Sequence, residues 1–135
     1  MVVSGAASGR RAGEVRDVGV FNWPVRLDSM DGERSLEIEA MVDTGASYTI
    51  VPATLLRELG VTPFNKITVV LADGRRVEMD IGRAWATING ASEVTLVVFG
   101  EDGARALLGA YTLEGLRLAV DPHNHTLIPA TTAWA

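Results

Sequence analysis

The chain has 135 residues, which suits a single domain with its own core and is short for two lobes. Its composition, 47% hydrophobic with a formal net charge of −5, favours a compact fold and argues against nucleic-acid or anionic-membrane partners. The complete lack of cysteine excludes disulfides, thiol nucleophiles and thiolate metal sites.

The N-terminal segment differs in composition from the rest of the chain. Residues 1–13 are rich in Gly, Ala, Ser and Arg without any periodicity, which predicts a flexible leader. They lack the long apolar stretch of a signal peptide, and no segment reaches the roughly 18–20 apolar residues that cross a bilayer. We therefore expect a cytoplasmic protein whose folded domain spans residues 14–135.

Hydrophobic residues with a period of two predict a series of short strands. The first strand segment is predicted from Val18, Val20, Val25 and Leu27, residues 35–42 alternate in the second, and Asp31-Gly32 supplies the turn between them. Further strands are predicted at residues 66–71, 76–81, 84–88, 93–99, 118–120 and 126–128.

Two stretches have helical patterns. Pro52 opens the first and Gly60 ends it, with leucines on one face between them. The second, residues 110–116, is shorter. Many short strands with one or two brief helices predict a mostly-β barrel or sandwich, one lobe per chain, rather than an alternating βα fold.

The stretch "MVDTGAS", residues 41–47, carries a carboxylate from an apolar strand into a tight turn. Ala40 and Val42 belong to the inward-facing set of that strand, and Asp43 follows directly before Thr44-Gly45. An ordinary polar turn explains these residues equally well, because Asp, Thr and Gly are all common at strand ends. A second feature is needed to choose between the two interpretations.

That feature is "LLGA", residues 107–110, in which two leucines lead into a glycine and then a helical stretch. Together with "VDTGAS" it resembles the paired signature of the retropepsin-like aspartic proteases, of the bacterial single-domain type. The resemblance covers most of the chain, from the N-terminal hairpin through a glycine-bearing central hairpin to the late helix. It implies a closed acid-protease barrel that hydrolyses extended peptides without a cofactor.

Peptide hydrolysis without a metal needs two carboxyl groups. One takes a proton from water while the other donates one to the substrate carbonyl, and carboxyls about 3 Å apart share a single proton because both cannot ionise. The chain contains only one Asp-Thr-Gly, and the Asp73-Gly74 and Asp102-Gly103 pairs are predicted to be hairpin turns. We therefore expect a homodimer in which each chain contributes Asp43.

The resemblance also implies roles for the neighbours of the catalytic Asp43. Thr44 would hydrogen-bond across the dyad to the partner turn, and Gly45 would lend its N–H to the carboxylates. Ala46 and Ser47 would bind the substrate.

The central hairpin occupies the place of the flap that closes over substrate in this family, with Asp73, Gly74 and Arg75 at its centre. These three residues are therefore also assigned to substrate binding, although a plain surface hairpin is the other interpretation. Residues 107–109 would buttress the Asp-Thr-Gly turn under either interpretation.

Two positions depart from the pattern of the viral members. Ser47 and Ala110 stand where those members carry an acid and an arginine, so the ion pair that supports their sites is absent. The family dimerises by interleaving chain ends, and the apolar tail, residues 126–135, suits such a strand. Trp134 in that tail suits packing on its own barrel equally well.

Two other functions stay open. A non-catalytic binding or oligomerisation module with this fold is compatible with the same residues, and a pepstatin-like transition-state mimic would distinguish it by binding only a competent dyad. His123 and His125, with Asp121, resemble part of a metal site, but no fourth ligand for zinc can be named.

Overall fold

A computed structural model describes residues 2–3 and 20–130. Within them lie ten strands and two helices. The strands are β1 (Val2–Val3), β2 (Asn22–Asp28), β3 (Ser35–Val42), β4 (Thr49–Pro52), β5 (Asn65–Leu71), β6 (Arg76–Ile88), β7 (Ala91–Gly100), β8 (Leu107–Leu108), β9 (Leu118–Asp121) and β10 (Thr126–Pro129). The helices are α1 (Ala53–Leu59) and α2 (Ala110–Gly115). The predicted mostly-β class is confirmed.

Six of the strands pair in a ring. β2 and β3 form the first hairpin, whose turn contains Gly32 at φ 75°. β3 pairs with β8 in parallel, β8 pairs with β4 antiparallel, and β4 pairs with β7 in parallel. β6 pairs with both β7 and β2, which brings the order back to its start. This order agrees with the closed barrel that the family resemblance implied.

The interior of the ring is apolar. Leu27 and Ala40 on the first hairpin are buried whereas their chain neighbours Arg26 and Glu39 are exposed, so the alternation read from the sequence is confirmed. The helix α1 adds Leu56, which is also fully buried. Each buried leucine contributes about 1.5–3 kcal/mol to stability through removal of its side chain from water.

β6 joins two segments that were predicted as separate strands, residues 76–81 and 84–88. A Cβ at Gly82 would lie 2.7 Å from the Val61 side chain and 3.0 Å from the Thr62 carbonyl oxygen. Glycine is required there because the segment after α1 packs against the strand, and it does not break the pairing. The predicted boundary at this glycine is wrong.

The C-terminal hairpin does not pair with the strands of the ring but packs against their apolar core. In the described part of the chain, β9 and β10 form their own two-stranded sheet, anchored by the buried Leu127. The predicted tail strand therefore pairs within its own chain over Thr126–Pro129. Trp134 lies outside the described residues, so its packing stays a prediction.

The predicted leader, residues 1–13, falls mostly outside the described residues and stays a prediction. Its Val2–Val3 segment forms β1, which pairs in parallel with β5. Neither of the two helices in the described residues is long and apolar enough to cross a membrane.

Asp102 completes the N-terminus of α1 from a distant loop. Its Oδ1 accepts a hydrogen bond from the Thr54 N–H at 2.9 Å, and its Oδ2 accepts one from the Thr54 hydroxyl at 2.7 Å. Pro52 at the N-cap has no side-chain acceptor to offer. The prediction of a hairpin turn at Asp102-Gly103 is wrong, because β7 and β8 do not pair with each other.

These two bonds give Asp102 a measurable effect on the pH dependence of stability. The Thr54 N–H, followed by the Thr54 hydroxyl, holds the pKa of Asp102 below its usual range. A carboxyl whose pKa is lower in the folded state stabilises the fold above its unfolded pKa of about 3.9, and this contribution is lost as the pH falls through the folded value. We expect the melting temperature of Asp102→Ala to be below that of the wild type at neutral pH, and the difference between the two melting temperatures to narrow below about pH 4.

Thermal denaturation followed by circular dichroism between acid and neutral pH measures this difference. Glu101→Ala is the matched control, because it removes the same charge from the adjacent residue and leaves the Asp102 bonds to Thr54 in place. If the melting temperatures of the wild type and Asp102→Ala differed by the same amount at every pH, the stabilising role of the ionised Asp102 would be contradicted.

Candidate active site

The Asp43 turn, residues 43–48, connects β3 to β4. The Asp43 side chain is half-buried, and its Oδ1 accepts a hydrogen bond from the Gly45 N–H at 2.9 Å. The Ala46 N–H donates to the Asp43 carbonyl oxygen at 3.1 Å. These two bonds hold the carboxylate at the end of a rigid strand, as the role predicted for Gly45 requires.

Three backbone hydrogen bonds clamp the Asp43 turn onto the segment at residues 108–111. The Asp43 N–H donates to the Leu108 carbonyl oxygen at 3.0 Å, at one end of the turn. Ala110 and Tyr111 donate their N–H groups to the carbonyl oxygens of Ala46 and Ser47, at 2.8 and 2.9 Å. The two sequence motifs, far apart in the chain, are therefore parts of one structure.

Gly109 lies at the centre of this clamp. A Cβ at this position would stand only 2.4 Å from the Tyr48 carbonyl oxygen and 2.9 Å from the Ala46 carbonyl oxygen. Its backbone is extended, at φ −99° and ψ 176°, so the requirement for glycine comes from space and not from conformation. The predicted buttress at residues 107–109 contacts the turn as expected.

The other residues assigned to the site lie in different surroundings. Thr44, Gly45 and Ser47 are exposed. Ala46 is 0% exposed, and its N–H and carbonyl groups are both bonded to the protein backbone. Its assignment to substrate binding stays a prediction, and in the single chain its backbone serves to hold the turn.

Tyr48 and Tyr111 form an aromatic pair that the sequence analysis missed. Their ring centroids are 5.8 Å apart with the planes at 47°, and Tyr111 is 46% exposed. The pair follows directly after the two departures from the viral pattern, Ser47 and Ala110. The sequence could have indicated the pair, because a tyrosine directly follows both Ser47 and Ala110. The rings pack together next to positions where viral members use an ion pair.

The β5–β6 hairpin carries the residues predicted to be a flap. At its tip Gly74 has φ 89°, and a Cβ there would meet no heavy atom within 4 Å. The Arg75 N–H and the Arg75 guanidinium both donate to the Asp73 carboxylate, at 3.0 and 2.8 Å, and together hold the pKa of Asp73 below its usual range. The tip is thus a well-formed, exposed turn.

The base of this hairpin is attached to the Asp43 turn through a second apolar cluster. Val69 and Met79 from the hairpin are buried in it with Ile50 of β4 and Leu107 of β8, and Tyr48 packs against its edge. The hairpin therefore packs on β4, which follows the turn, and on β8, which leads into the segment that clamps it. The assignment of its tip as a flap stays a prediction.

The metal-site alternative finds no support in the geometry. Asp121 accepts hydrogen bonds from the Asn124 side chain at 2.8 Å and from the His123 N–H at 3.0 Å, and the Asn124 bond is the main cause of its lowered pKa. The His125 ring stacks on Phe21, with centroids 5.6 Å apart. Among residues 2–3 and 20–130, no group of three His, Cys, Asp or Glu is placed to hold a metal.

The comparison with protein families agrees with the motifs. A model of the family described as "gag-polyprotein putative aspartyl protease" matches residues 30–115, well over half of the chain, which confirms the resemblance to the retropepsin-like aspartic proteases, whereas the bacterial single-domain type stays a prediction. The solution structure of the simian foamy virus (mac) protease is similar at 18% identity and a TM-score of 0.46, over 67% of this chain and 91% of that chain. No match is found among curated protein sequences.

The contact at Gly109 predicts a large effect of a single methyl group. Gly109→Ala places a Cβ against backbone atoms that cannot rotate away, and we expect it to lower the free energy of unfolding by about 1–3 kcal/mol or more. Gly115→Ala is the matched control, because a Cβ at this helical position meets no heavy atom within 4 Å. It should stabilise the protein by about 0.5–1 kcal/mol.

Denaturant unfolding of the two variants and the wild type measures both free energies. Equal stability of Gly109→Ala and the wild type would contradict the close approach of Gly109 to the Tyr48 carbonyl.

Proposed function

The chain belongs to the gag-polyprotein aspartyl protease family, and from this premise we propose that it is an aspartic endopeptidase. In this proposal two chains pair as a homodimer, and their two Asp43 carboxyl groups activate one water molecule between them. The substrate is an extended peptide or protein segment, and the reaction uses no cofactor.

The observation that carries the proposal is the way in which Asp43 is held. β3 delivers the carboxylate to a turn that is clamped by residues 108–111, and the Gly45 N–H donates to it at 2.9 Å. The exposed Asp73 turn has a bond of the same kind from the Arg75 N–H, so the backbone clamp by residues 108–111 is what sets the Asp43 turn apart. Positioning of this kind serves a reaction in which two groups must meet at a defined distance.

The homodimer follows from the count of Asp-Thr-Gly turns. The sequence contains one such turn, whereas the reaction needs two carboxyl groups that share a proton. A two-fold axis between two identical turns supplies the second group. Thr44 is exposed at the tip of the turn, as a contact with the partner turn requires.

The reaction proposed for this pair balances with one water molecule. The ionised Asp43 takes a proton from the water molecule while the water oxygen attacks the peptide carbonyl carbon. At the same time the partner's Asp43, which is protonated, donates its proton to the carbonyl oxygen. The gem-diol that forms then collapses to a carboxylic acid: the first Asp43 donates its proton to the leaving nitrogen, the C–N bond breaks, and the partner's Asp43 takes the proton of one diol hydroxyl. The pair returns to its singly protonated state.

The flap and the turn together define the substrate region in this proposal. Asp73, Gly74 and Arg75 close over an extended peptide, whose backbone pairs with main-chain groups of the cleft. The Ser47 carbonyl oxygen, near the end of the Asp43 turn, accepts a hydrogen bond from the Tyr111 N–H, and the exposed Tyr111 ring packs with that of Tyr48. An aromatic and uncharged wall at this point favours substrates with apolar side chains there over charged ones.

Replacement of the carboxylate tests the enzymatic part of the proposal. Asp43→Asn keeps the size of the side chain and an acceptor for the Gly45 N–H, but it cannot take a proton from water. We expect peptide cleavage to fall by about 100-fold or more while the fold is retained. Digestion of a peptide library from acid to neutral pH measures the loss, and circular dichroism checks the fold.

Asp28→Asn, at the far end of the first hairpin, makes the same chemical change away from the turn and should leave cleavage unaltered. Equal cleavage by the wild type and Asp43→Asn would remove the enzyme proposal. Binding of a pepstatin-like mimic by neither protein would favour the non-catalytic module instead.

Mixing the two proteins tests whether the dyad is shared between chains. If chains exchange freely, wild type mixed with an equal amount of Asp43→Asn should lose about half of its activity, because mixed dimers hold only one competent carboxyl group. Activity titrations and sedimentation equilibrium measure the loss and the dimer together. An active monomer in sedimentation would contradict the shared dyad.

A further inference from the structure

Three buried threonines form a chain of hydroxyl contacts behind the Asp43 turn. The Thr49 and Thr112 hydroxyl oxygens are 2.6 Å apart, and those of Thr112 and Thr95 are 2.8 Å apart. Their exposed fractions are 1%, 1% and 3% for Thr49, Thr112 and Thr95. This chain of hydroxyl contacts connects β4, α2 and β7, so three elements of the fold meet at these hydroxyl groups.

The hydroxyl chain continues into the clamp. The Gly109 N–H donates to the Thr49 hydroxyl oxygen at 3.1 Å, whereas the neighbouring Ala110 N–H donates to the Ala46 carbonyl oxygen. Leu108, on the other side of Gly109, accepts from the Asp43 N–H. Among the N–H groups of residues 109–111, that of Gly109 therefore bonds to a threonine side chain, whereas the other two bond to the turn backbone.

We propose that Thr112 is a positioning residue, which acts through Thr49 and Gly109 to fix the Asp43 turn in its working geometry. This proposal rests on the proposed function, since it assigns Thr112 to the peptide hydrolysis described above. Thr112 is the central member of the hydroxyl chain and touches both other threonines.

The directionality of hydrogen bonds and the burial of the three threonines explain why hydroxyl groups stand at this place. A buried hydroxyl is unfavourable unless it is hydrogen-bonded, and the two contacts give each of these three hydroxyl groups at least one partner away from water. Valine has nearly the shape of threonine and would fill the same space, but apolar contacts have no preferred direction. Hydrogen bonds of 2.6 to 3.1 Å fix the distance between β4 and the segment that carries Gly109.

The proposal predicts a defect in catalysis that a change of packing alone would not produce. Thr112→Val keeps the volume and removes both hydroxyl contacts, and we expect kcat to fall by about 10- to 100-fold with a change in KM below about threefold. Thr112→Ser restores the hydroxyl and should recover kcat to within about threefold of the wild type. Thr95→Val removes only the outer contact and should lower kcat by less than Thr112→Val.

Thr87→Val is the matched control. Thr87 and Ser92 have hydroxyl oxygens 2.6 Å apart on the exposed surface of β6 and β7, so the variant removes a contact of the same kind away from the turn. Its kcat and KM should equal those of the wild type. Unchanged kcat in both Thr112→Val and Thr95→Val would overturn the proposal, as would a loss in Thr112→Val that serine does not restore.

Amide hydrogen exchange provides a readout that does not depend on activity. Thr112→Val should speed exchange in residues 43–47 and 108–111, and Thr87→Val should not. If the wild type cleaves no peptide, the proposed function fails, and exchange alone decides whether Thr112 positions the turn. If Thr112→Val does not fold, Thr95→Val and Thr112→Ser carry the test through their order of kcat, and equal values in both and the wild type would overturn it.

Discussion

The close approach of two backbone segments is the constraint on which the site depends. The turn that carries Asp43 and the segment at residues 108–111 are joined by three backbone hydrogen bonds, and Gly109 allows the approach because a side chain would collide with the Tyr48 carbonyl. The ring of strands brings the two segments together, since β8 pairs with both β3 and β4. The fold thus supports the carboxylate through main-chain groups, which side-chain substitutions other than proline leave in place.

Local patterns were sufficient to predict most of the fold. The alternation of apolar residues in β2 and β3 follows from a barrel wall with one face inside, and Gly32 and Gly74 mark turns because they adopt positive φ. β4 and β8 could not be predicted in this way, since four and two residues are too few to display a period. Gly82 was misleading because its cause is a contact with Val61 after α1, which no local pattern records.

The site shows the same division between local and distant causes. Asp43 was recognisable because strand, acid and glycine are consecutive in the chain, and the "LLGA" motif supplied the segment that holds it. The Tyr48–Tyr111 pair, the Asp102 bonds to α1 and the threonine contacts all join residues that are distant in sequence. Thr95 and Thr112 look like ordinary polar positions of a strand and a helix until the fold places them together.

The long separation between the paired segments has a consequence for how the protein is made. Thr49 and Gly109 are 60 residues apart, and Thr54 and Asp102 are 48 apart. On the ribosome, the first hairpin and α1 emerge well before their partners are synthesised, and contacts between distant residues form slowly because a large loop must close first. The Asp43 turn therefore acquires its supports only after residues 107–111 have been synthesised, and a nascent or truncated chain that stops before residue 107 is without the segment that holds this turn.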